Sequence, residues 1–234
     1  MINKEALEYM HNLGKDEEKY IEINGSPYSH MSLKRVLLPP VETLKLTSLN
    51  SLISYIKGNM DKWTIKLAIH IVDHRTVRLI SELNDDFNRD VIIEVNAVMP
   101  DQVRYGSFYS TEDFNIILQS RFQRTDDRDL LLKFTGPIKE EKVKSTGDDG
   151  ISQAVTIKTG ITSVGNAVVP NPVTLAPYRT FLEIKQPEST FIFRMKDGPE
   201  AALFEADGGA WKLDAVNSIA VYLKEQLPDI EILA

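Results

Sequence analysis

Three successive stretches, TIKLAIHIV (64–72), TVRLISEL (76–83) and VIIEVNAVM (91–99), constrain the fold most. The first alternates: Ile65, Leu67, Ile69 and Ile71 fall on one side, because neighbouring side chains of a strand point to opposite faces. The second places Val77 and Leu79 on one face. The third is apolar on both faces near its start, the pattern of an interior strand. Asp73-His74-Arg75 is a turn between the first two, and the polar loop NDDFNRD (84–90) leads to the third. Short turns join antiparallel strands, so the expectation is an antiparallel meander with helices packed on one side.

Helical spacing surrounds it. Residues 3–13 carry Leu7, Met10 and Leu13 on one face, with Asn3 to cap the start and Gly14 to end it. Residues 47–60 repeat the pattern through Leu49, Leu52, Ile53, Ile56 and Met60, with Thr47 or Ser48 as the cap. STEDFNIILQSRF (110–122) opens with a capping hydroxyl and two acids suited to the positive end of a helix dipole. Between these, YIEINGSPY (20–28) reads as a short strand entering an Asn-Gly turn, and Pro39-Pro40 enforces extended chain. Beyond about residue 130, LLLKFTG, IKEEKVKS, SQAVTIKTG, YRTFLEIKQ and TFIFRM all read as strands. The fold class is therefore α+β: an antiparallel meander with packed helices in the N-terminal half, and a β-rich C-terminal half ending in a helix. The expected organisation is one intertwined domain over 1–234. The acidic stretch at 126–130 is a candidate seam between 1–128 and 129–234.

Composition narrows the function classes. A chain of 234 residues, 42% hydrophobic, can bury a sizeable core. No apolar run reaches the length of a membrane span, and the first twenty residues lack the apolar centre of a signal peptide. The expected location is the cytoplasm, with no membrane partner. With no cysteine there is no disulfide, thiolate metal site or thiol nucleophile. A net charge of -7 disfavours a general grip on nucleic acid, which needs clustered Lys and Arg.

Few motifs carry chemistry. In ALFEADGGAWKLDAV (202–216), Phe204 and Ala206 alternate before Asp207-Gly208-Gly209, and Trp211 and Leu213 alternate after it. The expected form is strand, glycine turn, strand, with Asp214 capping a terminal helix. A phosphate site would need glycines opening directly into a helix, and an intervening strand removes that reading. His70 and His74 have zinc-like spacing, but a strand and its turn do not place them on one helix face, so no metal is expected. Glu183-x-Lys185 on a strand is the pair a metal-dependent nuclease uses, where carboxylates hold Mg²⁺ and the lysine positions water. These two are the catalytic candidates. Asp148-Asp149-Gly150 reads as a turn between strands. ITSVGNAVVPNPVTLAPYRTF (161–181) is long, apolar and interrupted by Pro170, Pro172 and Pro177, so it needs a covering surface: its own core or a neighbouring subunit. Self-association is the favoured expectation. No glycine-rich nucleotide loop, nucleophile elbow or assembled triad is visible, and no cofactor is expected.

DDGISQAVTIKTG (148–160), NPVTLAPYRTFLEIKQPESTFIFR (171–194) and ALFEADGGAWKLDA (202–215) resemble the YfdQ-like family of phage and prophage proteins. LTSLNSLISYIKGNMD (46–61) and EDFNIILQSRF (112–122) extend the resemblance over most of the chain. It implies a bacteriophage origin and a role inside the infected host cell, and it supplies no catalytic residues. Asp148, Asp149, Arg179, Gln186 and Asp207 lie in the resembling segments and are the ligand-binding candidates. Arg179 suits either a phosphate or a buried carboxylate. The expected function is a non-enzymatic, self-assembling, phage-encoded protein that binds or sequesters a host protein or a small nucleotide, in a counter-defence role. The alternatives are a metal-dependent nuclease or nucleic-acid accessory factor, and a structural or scaffold protein of the phage.

Overall fold

The computed structural model describes residues 4–13, 21–23, 26–28, 42–84, 87–136, 143–148, 153–159, 163–168, 170–196, 198 and 200–234. The chain divides into two compact units, Met1–Pro40 and Val41–Ala234. The first holds helix α1 (Lys4–Leu13) and an antiparallel pair, β1 (Ile21–Ile23) and β2 (Ser26–Tyr28). Asn24-Gly25 and Pro39-Pro40 lie outside the described residues.

The second unit begins with β3 (Leu44–Leu46) and α2 (Leu49–Gly58). Ser48 caps α2 by accepting from the Ser51 amide at 3.2 Å, and Asn59, at φ 42°, ends it in the left-handed region. Leu49, Leu52 and Ile53 form its buried stripe; Met60 falls past the cap and is exposed, contrary to the spacing-based expectation. The meander follows as predicted: β4 (Leu67–Ile71), β5 (Thr76–Ser81) and β6 (Val91–Asn96), antiparallel throughout. Ile69, Ile71, Val77, Leu79, Ile93 and Val95 are buried, whereas Ile65 precedes the strand and is exposed.

Next come β7 (Tyr109–Ser110) and α3 (Thr111–Arg121), the latter capped by Ser110, which accepts from the Asp113 amide at 3.1 Å. Phe114, Ile117, Leu118 and then Phe122 are buried as expected. LLLKFTG is not a strand but the body of α4 (Asp126–Thr135). Thr125 accepts from the Arg128 amide, three aspartates occupy the first turn, and Leu131 and Thr135 bury one face. The acidic stretch at 126–130 thus opens a helix, while the division into units falls at Pro40.

Strands β8 (Val143–Asp148), β9 (Gln153–Thr159) and β10 (Ser163–Val168) form a three-stranded antiparallel sheet. The Pro-rich segment is more regular than its prolines predict: it supplies β10 and then β11 (Val173–Leu175), with a cis Asn171–Pro172 bond between. Strands β12 (Ser189–Lys196) and β13 (Glu200–Glu205) complete a second antiparallel sheet in the order β11-β12-β13-β7. Helix α5 (Trp211–Gln226) and strand β14 (Glu231–Leu233) close the unit. β14 and β3 pair in parallel with β4 and β6, giving a five-stranded sheet in the order β14-β4-β5-β6-β3.

Two cores result. One lies under the four-stranded sheet, where Phe191, Phe193 and Leu203 meet Phe114 and Leu118 of α3 and Leu131 of α4. The other joins the five-stranded sheet to α2 and α5 through Leu52, Ile219 and Leu223. Phe181 and Ile184 are buried in this second core although they follow β11, so residues 176–188 bridge from one core to the other.

Candidate functional site

The bridging segment was expected as a strand and is instead a turn and coil. Gln186 explains why. Its buried side chain accepts from the amides of Arg179 (2.8 Å) and Thr180 (3.1 Å) and donates to the Phe181 carbonyl (2.9 Å). One side chain thus does what a neighbouring strand would do for those backbone groups. Gln186→Leu strands two buried amides and a carbonyl, and is expected to lower stability by about 1–3 kcal/mol. Gln186→Glu, which keeps the acceptor, is expected to lose less; denaturant titration of both variants reads the difference.

Arg179 is fixed by this turn and is only 8% exposed. Its Nη1 donates to Glu205 Oε1 at 3.0 Å, and its Nη2 to the Ser189 hydroxyl, which in turn donates to Asp207. The guanidinium lies 3.9 Å from the centre of the Trp211 ring, a cation–π contact, while its buried Nε has no hydrogen-bond partner among the described residues. Burial lowers the Arg179 pKa, opposed by Tyr105, Glu205 and Asp207. Burial also raises the Asp207 carboxyl, but the Ser189 hydroxyl, the Gly209 amide and Arg179 outweigh it and leave the group below its ordinary value.

The glycine turn corrects the sequence reading most. Gly208 and Gly209 take positive φ, 63° and 83°, and lead directly into α5 at Trp211; no strand intervenes. Trp211 and Leu213 belong to the helix, and Trp211, Ala215, Ile219 and Leu223 form its buried face at four-residue spacing. Asp214 sits in the first turn and is not the cap; the cap position is Ala210, without a side-chain hydrogen bond. The intervening strand is thus absent, but the amides here already have acceptors: Gly209 donates to Asp207 Oδ1 at 3.0 Å, Ala210 to the Asp207 carbonyl at 3.2 Å, and Lys212 to the Gly209 carbonyl at 3.1 Å.

A cleft of about 350 Å³ opens at this helix start. The β4–β5 turn contributes His74 and Arg75, the loop after β6 contributes Pro100 to Val103 and Tyr105, and α3 contributes Arg121. Tyr178 and Arg179 come from the bridging segment, Glu205 from β13, and Gly209, Trp211 and Lys212 from the turn and α5. The Thr180 hydroxyl donates to the His74 carbonyl at 2.6 Å and ties the bridge to the hairpin. Arg121 lies 3.9 Å from Asp101, and Arg179 is paired with Glu205. Arg75 and Lys212 are exposed cations with no carboxylate partner among the described residues. The cleft thus keeps two uncommitted positive charges beside a helix N-terminus.

His74 packs edge-on against Trp211, 4.7 Å between ring centres. Burial lowers its pKa from the ordinary 6.5; Asp73 opposes this, and Arg75, Lys212 and Arg179 reinforce it. A histidine lowered on folding contributes stability that is complete above its unfolded pKa and is lost as pH falls through its folded one. Between about pH 7.5 and about pH 5, the protein should therefore lose more stability than His74→Phe, which keeps a ring but cannot titrate. Urea titrations at the two pH values check this.

Of the sequence candidates, Arg179, Gln186 and Asp207 come together. Asp148 is the last residue of β8, and Asp149 lies outside the described residues. Glu183 accepts from the Asn50 amide at the start of α2 (3.3 Å), and Lys185 pairs with Glu188 at 2.9 Å. Without the strand, the alternation that would align Glu183 with Lys185 is gone, and no metal-holding cluster occurs among the described residues. His70 is on β4 and His74 in its turn, as predicted. Sequence reasoning missed Arg75, Tyr105, Trp211 and Lys212 as site residues; only a helix beginning at Trp211 could have marked the last two. No helix of the described residues is long and apolar enough to cross a membrane. Comparison of the chain with protein-family models, curated proteins and solved structures finds no match.

Proposed function

We propose that this protein is a non-enzymatic binding protein that captures a small anionic ligand in the cleft at the start of α5. The observation that carries the reading is the convergence on one cleft of the buried Arg179 with Arg75 and Lys212, which have no carboxylate partner among the described residues. Ser189 lies behind Arg179 and outside the cleft wall, buried and already hydrogen-bonded to Arg179 and Asp207, so it is not offered as a nucleophile. Capture without turnover suits the phage-encoded sequestering role inside an infected cell that the YfdQ-like resemblance suggests. Self-assembly belongs to the same proposal. It rests on the apolar Pro-rich segment, of which Val173, Leu175 and Ala176 already serve the chain's own core.

Native mass spectrometry on protein purified gently from a bacterial host tests this, with the same sample then denatured. The expected result is a discrete oligomer carrying extra non-protein mass that is released chemically unchanged. Arg75→Glu with Lys212→Glu should lose that mass and keep its thermal stability, because both residues are exposed. A ligand recovered cleaved or transformed would overturn the non-enzymatic reading; a bare protein whose stability ignores added anions would overturn the site.

A further inference from the structure

A bare anion would leave much of the cleft wall unused. Tyr105, Tyr178 and Trp211 line it, and the two hydroxyls and the indole N–H have no hydrogen-bond partner among the described residues. Half-buried or buried aromatic side chains ordinarily place such groups against a partner. Tyr105 packs its ring on Phe191, 5.2 Å between centres, so the hydroxyl is held in position. Burial raises its pKa and keeps it protonated, able both to donate and to accept. Glu205 uses Oε1 for Arg179, and its second oxygen remains an acceptor.

This carboxylate matters to ligand class. A second acid, Asp101, also lines the cleft. Acids beside the cations disfavour a bare polyanion and favour a ligand that brings hydroxyl or amino donors along with its negative charge. Size limits the choice further: about 350 Å³ is near the lower end of small-molecule pockets, room for one nucleoside and not for a strand.

We propose that the ligand is a mononucleotide, its phosphate held by Arg75 and Lys212, and its sugar or base met by Tyr105, Tyr178 and Glu205. The assignment rests on the anion-binding reading above. Trp211 offers its edge more than its face, because Arg179 covers the ring at 3.9 Å. Recognition of the nucleoside is accordingly by hydrogen bonds, and the bases should be discriminated rather than bound alike.

Calorimetric titration of the full chain with AMP, GMP, CMP and UMP, with the matching nucleosides, and with inorganic phosphate and pyrophosphate tests the proposal. At least one nucleotide should bind about tenfold or more tightly than both its nucleoside and phosphate. Tyr105→Phe should weaken that nucleotide by about three- to tenfold and leave phosphate affinity unchanged. Tyr178→Phe provides an independent variant should the first perturb the core. Phosphate or pyrophosphate binding as tightly as every nucleotide would overturn the nucleotide assignment and leave the anion site standing. Absence of binding by every compound would overturn both.

Discussion

Phe193→Ala is expected to lower stability by about 3–5 kcal/mol, the cost of losing a large buried ring and keeping the hole it leaves. Phe193 is fully buried in the middle of β12. Its ring stacks on Phe114 of α3 at 5.5 Å and meets Phe134 of α4 edge-on at 6.1 Å, so one side chain holds two helices on the sheet. Neither helix can move in to fill the space without losing its own seat, because α3 is tied to β13 through β7. Phe193→Leu, which keeps most of the volume, should cost much less. Urea denaturation followed by far-UV circular dichroism measures both; equal losses would show that the core closes around either side chain.

Arg179→Met is the second large effect, about 2–4 kcal/mol. The figure is kept below that for a fully buried ion pair because the Glu205 side chain is 40% exposed and can rehydrate. The Ser189 hydroxyl cannot do so as readily: it is buried, loses its donor, and keeps only its bond to Asp207. Arg179→Lys restores the charge but not the fork that reaches Glu205 and Ser189 together, so it should recover only part of the stability. Ligand capture should vanish in Arg179→Met and persist weakly in Arg179→Lys. A methionine variant as stable as the parent would show that the guanidinium is not what holds the bridge to β12 and β13.

The elements read correctly from sequence are those whose signals are local. The meander follows from alternation and short turns, and α2 and α3 from a capping serine before a periodic apolar stripe. The misread elements carried two patterns at once. Trp211 and Leu213 alternate as a strand does, yet Trp211 also begins the four-residue spacing that runs through Ala215 and Ile219. The unassisted start at Ala210 gave no cap signal, whereas Asp214 looked like one. LLLKFTG has strand-like composition, and only its position after Thr125 and three aspartates marks a helix. The bridge at 176–188 has no local rule: Phe181 and Ile184 are placed by a core built from distant residues, and Gln186 replaces a strand's hydrogen bonds. The cleft is less legible still. Arg75, Tyr105, Arg179 and Lys212 come from four separate segments, and their meeting depends on how two sheets are joined.

The outer edge of β4 illustrates a cost of this connectivity during synthesis. Residues of the meander can pair as soon as Asn96 has left the ribosome, and β3, already made, can then cover β6. The opposite edge must wait, because the residue lying against Ile69 is Ile232. Throughout translation of the intervening chain, β4 offers unpaired backbone groups to any passing strand, including one from another nascent copy. The two borders of the meander are thus covered at widely different times. Aggregation during slow synthesis should begin at β4 and not at β6.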